Sequence, residues 1–320
     1  MPAALQIPSN PLGAAGQRVP RVALGCGNFG GVGSAPEFFG QGLSHAEALE
    51  LMDAAWAMGV RHFDTADAYG GGRSEEAIGA WIRSRRTRPG LTTKTFNRMT
   101  ADGDQGLAPA RVRRQFAASL ERLGVDRVDL YLAHDFDRSV ALADTISVFD
   151  ELRHAGQVVS YGVSNFNASQ LQQALDIGTT SAVQNGYSLL QRDDEADVIP
   201  LCARSGIGYI AFSPLGGGWL TGKYRRGAAY PFGSRMTQRP EPYAALANDE
   251  TFDRLEFLER LSGDRRTSMA GTSLAWLLAD ERIAQVVVGP GRPEHLEPIR
   301  EAIEHPLTPD ERRQITEVFS

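Results

Sequence analysis

Asp64, Tyr69, Lys94 and His134 stand at or just beyond the C-terminal ends of three successive short apolar runs, VRHFDTADAY, LTTK and RVDLYLAH. In a barrel of parallel strands those ends all open on one face, so residues 30 and then 40 positions apart can meet in one pocket. The residue types suit one task. A tyrosine, with an ordinary pKa of about 10, is a reluctant acid near neutrality, and a neighbouring ammonium stabilises its phenolate and lowers that value. Lys94 can be that ammonium, Asp64 can hold it in place and charged, and His134 can hydrogen-bond a carbonyl oxygen from the other side. The set reads as a proton donor for a carbonyl under reduction. Taken singly, Asp64 is a strand-end turn cap, Tyr69 a rim aromatic and His134 a core histidine. Lys94 is harder to dismiss, because an amine at the end of an apolar strand is costly unless paired. Their joint placement on one rim favours the catalytic reading.

Apolar, β-rich runs alternate with helical patterns along the whole chain, the pattern of a parallel sheet built from βα units. Eight strands are expected: Val22–Gly25, Arg61–Asp64, Leu91–Lys94, Val128–His134, Ser160–Ser164, Ala182–Asn185, Gly208–Ser213 and Val286–Gly289. Eight strands close into an α/β barrel of the (β/α)8, or TIM, type. Helices are expected at 45–58, 74–86, 109–123, 144–155, 168–177, 194–205, 251–280 with a break near Gly263, 293–303 and 309–318. Ser44 with Glu47, and Thr308 with Glu311, are capping boxes, and Gly59, Gly124, Gly156, Gly178 and Gly206 mark helix ends. Residues 4–20 are expected to form a hairpin that closes the bottom of the barrel. The longest irregular stretch, Pro214 to Glu250, follows the seventh strand and reads as a flap over the site.

A chain of 320 residues, 42% hydrophobic, is long enough for a single barrel domain spanning 1–320. A formal charge of −6 argues against a nucleic-acid or anionic membrane partner. Cys26 and Cys202 make neither a disulfide framework nor a metal-ligand spacing, so free thiols and no metal are expected. No signal-like start and no long apolar span are visible, and a cytoplasmic protein is expected. Gly25-Cys26-Gly27-Asn28-Phe29-Gly30 matches G-x-G-x-x-G after a strand, but no helix can open at its third glycine, so a Rossmann site is rejected.

The blocks FDTADAYGGGRSEEAIG, TTK, DLYLAHD, YGVSNF, VQNGYSLL, SPLGGGWLTGKY and VVGPGRPEHL, in that order, strongly resemble the aldo-keto reductase family from about Val19 to Phe319. On that resemblance Asp64, Tyr69, Lys94 and His134 match the family's catalytic tetrad, which implies reversible reduction of an aldehyde or ketone by NADP(H), with NAD(H) also open. It also implies a set of cofactor contacts. Gly27, Asn28 and Phe29 follow the first strand, and Asp64 contributes beside them; Ser164, Asn165 and Gln184 would meet the nicotinamide carboxamide, and Phe212 would stack on its ring. Ser213, Leu215, Gly217 and Lys223 would wrap the pyrophosphate, and Gly289, Gly291, Arg292 and His295 would form the adenosine and 2′-phosphate site. The chain departs from the family pattern at Gly291, where a basic residue or serine is usual, and at Ile299, a common asparagine.

The implied partner is a small carbonyl compound, bound by a monomer or small homo-oligomer. Phe29, Phe38, Phe39, Phe96, Phe136 and Trp219 are candidates to line an apolar mouth, and Arg235 and Arg239 can meet a phosphate. Relatives of this kind also include dehydrogenases of sugars or pyridoxal-like alcohols, nucleotide-sugar reductases, which PFGSRMTQRPEPY loosely resembles, and cofactor-binding channel subunits. No long N-terminal gating segment is visible, which weighs against the last.

Overall fold

A computed structural model describes residues 4–13 and 16–320. The chain opens with an antiparallel hairpin, β1 Ser9–Leu12 and β2 Gln17–Pro20. Eight parallel strands follow: β3 Val22–Gly25, β4 His62–Asp64, β5 Gly90–Thr95, β6 Val128–Ala133, β7 Val158–Ser164, β8 Ala182–Gly186, β9 Gly208–Phe212 and β10 Ile283–Val288. They pair in sequence order and β10 closes on β3, so the expected closed barrel is what forms. The first helices are α1 His45–Met58, α2 Arg73–Arg85, α3 Pro109–Leu123, α4 Leu142–His154 and α5 Ala168–Ile177. After them come α6 Val198–Ser205, a short α7 Arg235–Gln238, α8 Asp249–Asp264, α9 Met269–Leu278, α10 Glu297–Glu304 and α11 Pro309–Val318.

Two hydrophobic layers hold this together. Leu130, Leu132, Ala182, Ile210, Ala284 and Val287 fill the barrel interior with Leu12 and Val19 of the hairpin, and a larger core lies between strands and helices. The hairpin plugs the end where the strands begin: Asn10 donates to the carbonyl of Ile283, and Gln17 to that of Asp129. Burial of the strands on both faces explains their nearly continuous apolar sequence.

Helix ends follow local chemistry. The Ser44–Glu47 and Thr308–Glu311 capping boxes form, and a third joins Asn167 to Gln170. Three expected helices differ in detail. The 251–280 pattern starts two residues earlier and breaks near Gly263 as expected: Arg266 turns into the left-handed region, and Ser268 caps the next helix by accepting from the amide of Gly271. The 194–205 pattern splits into a 3-10 turn, Asp193–Glu195, and α6, because Asp197 caps Val198. The first turn of the 293–303 pattern is 3-10, Pro293–Leu296, before α10 begins.

Register decides which side chains face inward. Thr92 and Lys94 pair with Leu130 and Leu132, which point into the barrel, while Thr93 turns outward and donates to Glu75 of α2 at 2.5 Å. Lys94 therefore points up the barrel axis side of β5, and Asp64 lies in register with Thr92 beside it.

Candidate functional site

At the C-terminal rim Lys94 Nζ donates to Asp64 Oδ1 at 2.5 Å and to the carbonyl of Thr65 at 2.9 Å, with both side chains buried. The second carboxylate oxygen of Asp64 accepts from Gln184 Nε2 at 2.7 Å. Burial works against the Lys94 charge, but attraction to Asp64 and then to Tyr69 outweighs it and holds the ammonium above the ordinary lysine value. Its Nζ lies 5.1 Å from the centre of the Tyr69 ring. The Tyr69 ring meets that of His134 edge-on at 5.5 Å. The four expected residues thus meet at one place.

The proton balance differs from the expectation on one point. Lys94 does pull the Tyr69 phenol down, but burial pushes it up by more, so Tyr69 keeps its proton above the ordinary tyrosine range. His134 is pulled well below the ordinary histidine value, by burial first and by Lys94 second, and is neutral. Asn97 Nδ2 donates to His134 Nδ1 at 3.2 Å, which places the ring proton on Nε2. Asn97 itself is held through its backbone carbonyl, which accepts from Arg111 Nη2 at 2.6 Å. Neither Asn97 nor the Gln184–Asp64 bond was signalled by sequence, since both partners lie on other strands or loops.

Under the rim lies a second buried carboxyl group. Asp67 sits between Asp64 and Tyr69 on the chain; its amide donates to the carbonyl of Lys94, and Thr95 Oγ1 donates to its carboxylate at 2.7 Å. Burial pushes its carboxyl up to about 7, against the stabilising bond from Thr95. The segment that carries Tyr69 is therefore anchored to β5 at two points.

The expected cofactor residues fall along the same face. Ser164 is buried at the end of β7, and Asn165 beyond it adopts a left-handed backbone (φ 59°) while its side chain donates to the carbonyl of His134. Ser213 beyond β9 is also left-handed (φ 53°), with its hydroxyl 3.5 Å from Tyr243 Oη. A side chain forced into this region is strained, and strain of that kind gathers at functional rims. Phe212 is half-buried against the barrel-interior residues. Gly216, Gly217 and Gly218 all take positive φ; a Cβ on Gly217 would meet the Tyr243 ring at 2.5 Å and one on Gly218 would meet Lys223 Nζ. Bare backbone is what that turn requires. Leu215 starts the turn and is half-buried.

At the end of β3, Gly27 abuts the Tyr69 ring, and Asn28 Nδ2 donates to the carbonyl of Pro290 at 2.8 Å, tying the first rim loop to the last. Gly289 and Gly291 are exposed there. His295 lies within reach of the Gly291 amide at 3.3 Å and of Arg292 Nε at 3.0 Å. A neutral imidazole accepts at one nitrogen only, so these two bonds alternate. The glycine cradle and the exposed Arg292 suit an elongated anionic ligand laid along this rim, and the buried unpartnered Asn28 Oδ1 is left to accept from a donor on such a ligand.

Two mouth candidates are corrected. Phe29 is fully buried in the core behind the rim, and Trp219 is fully buried under the 214–250 loop, packed on Tyr224 (5.0 Å) and Phe252 (5.6 Å). The start of that loop is thus anchored by an aromatic cluster, while Phe232 near its middle is wholly exposed. Phe38, Phe39, Phe96 and Phe136 are half-buried near the rim loops. No helix among the described residues is long and apolar enough to cross a membrane, and no cluster of three metal-ligating side chains occurs among them.

Comparison with known proteins agrees with this arrangement. The family model described as "Aldo/keto reductase family" matches residues 21–319. An uncharacterized oxidoreductase, YrpG, of Bacillus subtilis (strain 168) is 31% identical, covering 96% of this chain and 94% of the relative. The L-glyceraldehyde 3-phosphate reductase of Escherichia coli O157:H7 is 30% identical over 89% of this chain and 84% of its own. Among solved structures, the thermostable aldo-keto reductase Tm1743 in complex with the inhibitor epalrestat superposes with a TM-score of 0.77 at 27% identity, over 98% of this chain and 100% of that one.

The Asn97–His134 bond makes a prediction independent of any reaction. Long-range proton–nitrogen NMR of the His134 ring should show a neutral imidazole protonated on Nε2 at pH 7. Asn97→Asp should move the proton to Nδ1 and raise the ring's pKa, because a carboxylate accepts where the amide donated. A wild-type ring protonated on Nδ1 would show that Asn97 does not orient it.

Proposed function

The chain belongs to the aldo/keto reductase family, oxidoreductases that act on carbonyl and alcohol groups with nicotinamide cofactors, and from this premise we propose that it reduces an aldehyde or ketone with NADPH. The observation that carries the proposal is the buried Lys94–Asp64 pair placed beside a protonated Tyr69 and a neutral His134 on one rim.

Ser164, Asn165, Gln184 and Phe212 would hold the nicotinamide end of the cofactor, the Gly216–Gly218 turn with Lys223 its pyrophosphate, and Arg292 its 2′-phosphate. Gln184 uses one Nε2 hydrogen on Asp64, which leaves its second N–H to donate and its Oε1 to accept from a carboxamide. When bound, the cofactor supplies the hydride that adds to the carbonyl carbon. The protein supplies the rest. His134 Nε2–H donates to the carbonyl oxygen and polarises it, and Tyr69 delivers its phenolic proton to the same oxygen as negative charge builds there.

Lys94 matters most in the second half of that transfer. While Tyr69 is neutral, the ammonium is balanced by Asp64 alone. As the phenol gives up its proton, the nearby positive charge stabilises the phenolate left behind. Burial thus keeps the proton on Tyr69 until substrate takes it, and Lys94 offsets the cost of losing it. Asn97 acts through His134, fixing the tautomer that donates.

Tyr69→Phe removes the phenolic proton beside Lys94 and His134 and should leave less than about a tenth of wild-type kcat, a barrier increase above roughly 1.4 kcal/mol, with NADPH affinity nearly unchanged. Retention of more than that activity would remove Tyr69 from the role of acid. Arg292→Ala should weaken NADPH by about 1.5–3 kcal/mol, measured by fluorescence titration, and NADH far less, since only NADPH carries the phosphate a guanidinium can fork onto. Equal losses for both cofactors would place the 2′-phosphate elsewhere.

A further inference from the structure

The loop after β9 carries two guanidinium groups with no counterion. Among the described residues, the Arg235 and Arg239 side chains make no hydrogen bond and no ion pair, although Arg235 is half-buried and loses stability of its charge to burial. The nearest acidic residue in sequence, Glu241, is exposed and pairs with neither. A cation removed from water without a partner is costly unless an anion arrives from outside.

The two arginines stand four residues apart on the short turn of α7, where the Arg239 amide donates to the Arg235 carbonyl at 2.8 Å, but their side chains meet different neighbours. Arg235 feels the charge of Lys223 and lies beside Tyr243, whose ring rests on Gly217; it belongs to the glycine turn. Arg239 lies with its guanidinium carbon 5.7 Å from the centre of the Phe38 ring, and its Nη1 is 3.7 Å from where a side chain would stand on Gly33. Gly33 in turn donates to the carbonyl of Gly27 at 2.6 Å and accepts from the amide of Gly70, the residue after Tyr69. Gly27 touches the Tyr69 ring itself, with 3.5 Å separating a Cβ there from Tyr69 Cε2. Gly33 therefore joins the Arg239 guanidinium to the two glycines next to Tyr69, Gly27 against its ring and Gly70 after it in the chain.

We propose that Arg239, backed by the face of Phe38, is a substrate-anion site that selects carbonyl compounds carrying a phosphate or carboxylate a few atoms from the reacting carbon. A planar fork stacked on an aromatic ring is held in one orientation and binds an oxyanion through two parallel bonds. Gly33 contributes by leaving the path open; any side chain there would fill the gap between the two groups. Cofactor phosphates would meet Lys223, Arg235 and Arg292, which leaves Arg239 as the surplus cation. This inference rests on the carbonyl-reductase reading and names its substrate class.

The test compares kcat/KM for glyceraldehyde 3-phosphate and glyceraldehyde, and for 4-carboxybenzaldehyde and 4-nitrobenzaldehyde, in wild type and Arg239→Ala with NADPH. Arg239→Ala should lower the rate constant for the anionic member of at least one pair by about 10- to 100-fold, as expected for a lost charge-assisted contact, and that for its neutral counterpart by under about twofold. Which pair responds separates phosphate from carboxylate. Arg239→Lys should recover part of the loss, and NADPH affinity should be the same in all three proteins. Equal losses on anionic and neutral aldehydes, or a weakened NADPH complex, would overturn the proposal and assign Arg239 to the cofactor or to packing. If wild type reduces none of the four compounds, the carbonyl-reductase reading falls instead. The anion site is then decided by calorimetry of inorganic phosphate and of benzoate into NADPH-saturated protein: loss of binding on Arg239→Ala supports it, and unchanged or absent binding overturns it.

Discussion

One buried ion pair organises the catalytic rim. Lys94 is fully removed from water, so its ammonium persists only because Asp64 lies 2.5 Å away and the Thr65 carbonyl accepts a second N–H bond. Leaving either charge unpaired in such a place costs on the order of 3–5 kcal/mol. The rest of the site follows from satisfying that pair. Asp64 must end β4 in register with Thr92 of β5, its other oxygen must be met by Gln184 from across the barrel, and its backbone carbonyl accepts from Cys26 at the end of β3. Four strands are thereby locked around one carboxylate. The turn that leaves Asp64 carries Tyr69 back over the ammonium, and His134, one strand further on, completes the pocket.

Burial then works in opposite senses on three groups. It raises the phenol of Tyr69, lowers the imidazole of His134 and leaves Lys94 charged because Asp64 outweighs it. The resting site holds one formal cation, one formal anion and two neutral proton donors. This is a surface complementary to an oxygen that gains negative charge, and it is unlike one built to hold a phenolate at rest.

Much of this was legible in the sequence because strand ends and helix caps are local. The bounds of α1, α3, α5 and α11 follow from Ser44, Pro109, Asn167 and Thr308 at their starts. The polar ends of β4, β5 and β6 announced the rim, since a lysine there has no structural use. What could not be read depends on contacts across the fold. Phe29 and Trp219 look like ligand-lining aromatics in a glycine-rich loop, but the path of each loop turns them into the core. The burial of Tyr69 outweighs the lysine beside it, which sequence spacing cannot weigh. Asn97 carries no motif; its importance comes from the neighbouring ring of His134.

The central claim is that Tyr69 stays protonated until a substrate oxygen takes its proton. Carbon-13 labelling of tyrosine Cζ, with the Tyr69 resonance assigned by its loss in Tyr69→Phe, measures this directly. The account predicts a phenol signature for Tyr69 at neutral pH and still at about pH 10, where an exposed tyrosine is half ionised. A phenolate signature near neutrality would contradict it, and would mean that the attraction of Lys94 prevails over burial in the resting site.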